Sequence, residues 1–194
     1  MTTDTNTIVI ALAVIVLVAI ALWMYTRKRR SDDLARRFGP EYQRTLDEMG
    51  SRDKAEAELL ARKKRVDQLE IVPLSPADAQ RFSQEWRTLQ SRFVDNPKGV
   101  LADADQLVRD LLKTRGYPIG DFDSRAADIS VHHPGVVEHY RAAHEIALRE
   151  QRGEVDTEGM RQAVIHYRAL FSDLLEVQDP RQPSSTHPEM RTQS

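Results

Sequence analysis

The sequence contains no cysteine. That excludes disulfides, thiolate nucleophiles and zinc centres built on sulfur. Neither charge is in excess, because 28 basic residues stand against 30 acidic ones for a formal net charge of −2. A protein whose main task is to neutralise nucleic-acid phosphates needs a basic surplus, so no specific nucleic acid is expected as a partner. Glycine is sparse, with eight residues spread along the chain. They form no phosphate-cradling loop and no serine nucleophile elbow. Period-two alternation is missing as well, so strands are not expected. What remains is helix, and the expected class is all-α.

One long run lacks charge. Residues 8–25 read IVIALAVIVLVAIALWMY. At ~1.5 Å per residue a helix of that length extends about 27 Å, close to the hydrocarbon thickness of a bilayer. Trp23 and Tyr25 lie at its C-terminal edge, where amphipathic rings favour the headgroup zone. The preceding MTTDTNT carries Asp4 and no basic residue, whereas Arg27-Lys28-Arg29-Arg30 follows the run. Both features are the reverse of a cleaved signal peptide. The pattern predicts a single-pass membrane protein with the lipid bilayer as a partner: residues 1–7 outside, 8–25 a transmembrane helix, and the remainder cytoplasmic.

Beyond the basic flank, residues 26–70 read as a charged helical stalk. Leu34, Phe38, Tyr42 and Leu46 recur on one helical face, interrupted by Gly39-Pro40, where one helix should end and another begin. Ala55, Leu59, Val66 and Leu69 form a thin apolar stripe, too thin to establish a coiled coil, though self-association through the stalk is one expectation. Arg62-Lys63-Lys64-Arg65, with Arg27–Arg30, could touch anionic lipid, but a solvated helix face is the commoner meaning of such clusters.

Residues 76–176 read as a helical bundle. Ser75 can cap a helix that opens at Pro76 and carries Phe82, Trp86, Leu89 and Phe93. Asn96-Pro97-Lys98-Gly99 turns the chain into a second helix bearing Val100, Ala104, Leu107, Val108, Leu111 and Leu112. Asp121 should cap a short helix, His133-Pro134-Gly135 should open another, and Asp156 or Thr157 should cap the last. Residues 178–194, rich in Pro, Ser, Thr and Gln, read as a disordered tail. His-Tyr-Arg-Ala occurs at 139–142 and again at 166–169, too little to constitute a tandem repeat.

The stretch 117–144 concentrates polar side chains that could form a site: Tyr117, Asp121, Asp123, Arg125, Asp128, His133 and His144. Metal binding is not expected from them. No Glu-x-x-His or His-Glu-x-x-His pattern occurs, His139 and His144 are five apart, and the aspartates match no calcium loop. Helix capping, turn formation and a local Asp–Arg pair explain these residues more simply. No catalytic residue and no cofactor is assigned.

Arg37-Phe38-Gly39-Pro40-Glu41-Tyr42, Gly116-Tyr117-Pro118, Asp121-Phe122, Arg125-Ala126-Ala127-Asp128, His133-Pro134, Tyr140-Arg141 and Ala143-His144 together resemble an uncharacterised family of small bacterial single-pass membrane proteins with a helical cytoplasmic domain. The resemblance implies a bacterial inner-membrane location and brings no activity with it. The expected function is a membrane-anchored helical interaction module, a scaffold, adaptor or regulator, with a protein partner or a second copy. The alternative is an enzyme or small-ligand receptor with its site at 117–144.

Overall fold

A computed structural model describes residues 2–175, apart from the side chains at positions 2–8 and 11. The tail expected at 178–194 therefore lies outside the described residues. Those described form eight helices and no strand: α1 (Thr2–Phe38), α2 (Pro40–Met49), α3 (Arg52–Val66), α4 (Pro76–Ser91), α5 (Pro97–Thr114), α6 (Phe122–His132), α7 (Val137–Gln151) and α8 (Thr157–Leu174). They divide into two compact units, Met1–Lys64 and Arg65–Ser194.

The membrane-spanning reading of 8–25 is corrected. Among the described residues no helix is long and apolar enough to cross a membrane. The apolar run is not a separate element but the middle of α1, which continues through Arg27–Arg30 and Asp32-Asp33 to Phe38. The single-pass topology, the inner-membrane location and the anchored architecture fall with that span. What the structure records is an exposed apolar surface on α1, including Val9, Ile10, Leu17, Leu22 and Trp23.

In the first unit, Gly39 ends α1 with φ +50°, a conformation glycine takes without a Cβ penalty, and α2 starts at Pro40. This break folds the stripe inward, so that Leu34, Phe38, Tyr42, Ala55 and Leu59 are all buried. The packing includes polar links between helices. The Ser31 and Tyr42 hydroxyls lie 3.1 Å apart, and Tyr42 donates to Glu56 Oε1 at 3.0 Å, joining α1, α2 and α3. Arg62 donates to Glu41 across helices and to Glu58 one turn back, each at 2.9 Å.

The second unit is a bundle of α4–α8. Ser75, Asn96, Asp121 and Asp156 each accept a hydrogen bond from the backbone N–H three residues on, which fixes where α4, α5, α6 and α8 begin. The apolar stripes of α4 and α5 meet residues of α7 and α8 in one core containing Phe82, Trp86, Val108, Leu111, Tyr140, Tyr167 and Phe171. Trp86 stacks on Phe171 with ring centroids 4.7 Å apart. Phe93, expected with the same stripe, is only partly buried at the core's margin. The segment before α4 is tied down by Arg115, which donates to the Val72 carbonyl and to the Leu174 carbonyl at the end of α8. Gly116 follows at φ +94°, and a Cβ there would lie 2.4 Å from the Glu70 carbonyl oxygen, so only glycine fits.

Two substitutions test this packing. Trp86→Ala removes a buried ring and should cost about 3–5 kcal/mol in calorimetric unfolding. Trp86→Phe should cost much less, because the buried indole Nε1 has no hydrogen-bond partner to lose. In the first unit, Arg62→Ala breaks a buried ion pair with Glu41 and should destabilise by about 3–5 kcal/mol, read as faster hydrogen exchange along α2.

Candidate functional site

The seven polar residues singled out in the sequence do not converge. Asp121 and Asp123 are exposed at the start of α6. The Asp121 carboxylate accepts the Ser124 N–H and the Ser124 hydroxyl, and those bonds hold it below the usual carboxylate range. Asp128, about two turns further along α6 on its buried side, accepts two hydrogen bonds from Arg65 at 2.9 and 2.6 Å, both on Oδ1. The expected local Asp–Arg pair with Arg125 is therefore replaced by one with a residue 63 positions earlier.

Arg125 turns instead into the bundle. Its Nε donates to the Tyr140 hydroxyl at 3.1 Å and its Nη1 to the Gly120 carbonyl at 2.5 Å. Around it lies a half-polar layer of the core. The Tyr167 hydroxyl donates to Asp105 Oδ1 at 3.2 Å, Arg109 pairs with Asp105 Oδ2 at 2.6 Å, and Tyr140 meets Tyr167 edge-on at 6.3 Å. Burial and, after it, the Asp105 charge push both phenols above their ordinary range. At neutral pH they stay protonated hydrogen-bonding groups.

His144 stacks on Phe122 with centroids 3.6 Å apart and planes 8° from parallel, and Phe122 leans on Tyr140. Tyr117 and His133 lie towards the other end of α6. The Tyr117 hydroxyl and His132 Nδ1 are 3.3 Å apart. The backbone of His133 closes α6 through its N–H to the Ile129 carbonyl. Its side chain does something the sequence did not indicate, because Nδ1 bonds Asp173 of α8. His133 Nε2 is buried without a hydrogen-bond partner. His132, His133, Ser172, Asp173 and Leu175 border a pocket of about 470 Å³ there.

A larger groove, about 710 Å³, lies elsewhere, between α4 and α5. Leu89 and Leu107 form its floor, and Arg81, Glu85, Arg92 and Asp103 stand along it. Arg81 bonds Asp78 and Glu85 along α4, and Arg92 bonds Asp103 across the groove. Each helix signal was readable in the sequence, but a groove needs two helices in register, which no single stripe announces. Among the described residues no group of three or more His, Asp or Glu could hold a metal ion. Comparison of the chain with family models, with curated proteins and with solved structures finds no match in any of the three.

Two half-buried imidazoles set a pH dependence. Burial holds His144 below its ordinary range, against a smaller opposing pull from Asp105, and His166 is lowered by burial and by His139. The unfolded chain then binds protons that the folded chain does not, so stability is fully present above about pH 6.5 and is lost as pH falls towards the folded values. The thermal midpoint should drop between about pH 7 and pH 5.5. His144→Phe, which keeps the stack on Phe122, should flatten part of that drop.

Proposed function

We infer that the chain is a helical interaction module, a scaffold or adaptor that engages a protein partner through the outer face of α4 and α5. The observation that carries this reading is the commitment of the polar residues at 117–144 to the fold itself. Asp121 caps α6, Asp128 holds Arg65, Arg125 holds Tyr140 and Gly120, and His144 stacks on Phe122. The α4–α5 groove supports it further. An apolar floor bordered by charges of both signs suits a polypeptide with apolar anchors and a mixed-charge rim.

A photo-crosslinking residue placed at Gln84, on the groove, should yield a discrete protein adduct in cells, whereas one at Arg168, exposed on α8, should not. Arg92→Glu should abolish the adduct without shifting the unfolding midpoint by more than a degree or so. An adduct insensitive to Arg92→Glu, or none at Gln84, defeats the reading.

One observation favours the alternative of a small-ligand or catalytic site. His133 Nδ1 bonds Asp173, and its buried Nε2 has no hydrogen-bond partner, beside a pocket. A His133→Ala protein that is as stable as the parent yet fails to complement a deletion strain would establish that alternative instead.

A further inference from the structure

The two His-Tyr-Arg-Ala segments, 27 residues apart, are brought face to face. Only residues 152–156 join α7 to α8, so the helices run antiparallel, and the segments meet in opposite directions. Tyr140 packs against Tyr167 and His139 against His166. The His139 and His166 Nδ1 atoms are 2.9 Å apart, with ring centroids 5.2 Å apart and planes inclined by 32°. Both rings are half-exposed, at the rim of the bundle rather than inside it.

A 2.9 Å separation of two nitrogens has a second meaning besides a shared proton. If each nitrogen stood about 2.05 Å from one metal ion, the pair would subtend about 90° at it. That is the cis angle of a square-planar or octahedral ion. A tetrahedral zinc centre would need the nitrogens about 3.3 Å apart. Imidazole nitrogens in a square-planar or tetragonal arrangement are the preference of copper(II) and nickel(II).

We propose that His139 and His166 form an open, two-imidazole binding site for a divalent nickel or copper ion, ligated through both Nδ1 atoms with water in the remaining positions. The ion replaces the proton between the rings. The donor ring's proton moves from Nδ1 to its own Nε2 through solvent, both rings remain neutral, and no net proton is lost. The edge contact between the tyrosines one residue along sets the helix register, so the two nitrogens are held close before any ion arrives. With no third protein ligand, the ion is exchangeable and its open positions can accept an outside donor.

The test uses the full chain, dispersed in mild detergent because the α1 surface is apolar, and calorimetric titration with Ni²⁺. Binding should be one to one, tighter for Ni²⁺ than for Zn²⁺, and should raise the unfolding midpoint by several degrees. His139→Gln or His166→Gln should each weaken it by about tenfold or more, since even outer-shell changes cost about 10–100-fold. Cu²⁺ bound to the parent should show two imidazole nitrogens by electron spin-echo spectroscopy. The other four histidines of the six remain in the double variant as an internal control. Unchanged binding by that double variant, or no stoichiometric binding by the parent, overturns the proposal. If the glutamine variants are themselves unstable, the parent decides: Ni²⁺ should protect His139 and His166 from diethyl pyrocarbonate, and their continued modification overturns the proposal equally.

Discussion

Phe171 lies against Trp86, and that stack sets the position of α8 relative to α4. Once α8 is placed there, Tyr167 one turn earlier reaches Asp105 of α5, His166 reaches His139 of α7, and the Leu174 carbonyl meets Arg115. Helix packing offers a small set of registers, and an aromatic pair in a fully desolvated core selects among them strongly because a one-turn slip would expose both rings. The polar bonds then act as checks on that choice. A buried hydroxyl or carboxylate deprived of its partner costs more than the bond contributes when made, so wrong registers are penalised more than the right one is favoured.

The first unit uses a different division of labour. Its buried apolar side chains are few, and Tyr42 links Ser31 and Glu56 while Arg62 links Glu41 and Glu58. Polar links of this kind specify geometry better than they add stability. The two units therefore differ in what holds them, one an aromatic core and the other a polar one beside the exposed apolar surface of α1.

Much of the helical order was legible in the sequence because its signals are local. Ser75, Asp121 and Asp156 stand where caps were expected, Gly39-Pro40 separates two helices, and the stripes of α4 and α5 are buried. The misread features are long-range. A local Asp–Arg pair was expected among Asp121, Asp123, Asp128 and Arg125, but the bundle turns Arg125 towards Tyr140 and brings Arg65 to Asp128. His133 was read as a cap, and its backbone does close α6, but Asp173 of α8 claims the ring. The His-Tyr-Arg-Ala echo was set aside as too short for a tandem repeat. Its significance lies in the antiparallel pairing of α7 and α8, which a search for period cannot see. The residue 8–25 run was weighed by its length, composition and flanks as a separate segment, whereas the structure makes it part of a longer helix whose charged continuation belongs to the same element.

The Trp86–Phe171 stack also imposes a schedule on the chain as it is made. The two rings are 85 residues apart, so at about 5–20 residues per second Trp86 emerges roughly 4–17 s before Phe171 can cover it. During that interval Phe82, Trp86, Val108 and Leu111 have one another but not their final neighbours. A nascent α4–α5 hairpin with a greasy face is the sort of surface that holding chaperones recognise, and slow synthesis before α8 would lengthen its exposure. Production of this protein is thereby sensitive to translation rate through the stretch that separates α5 from α8.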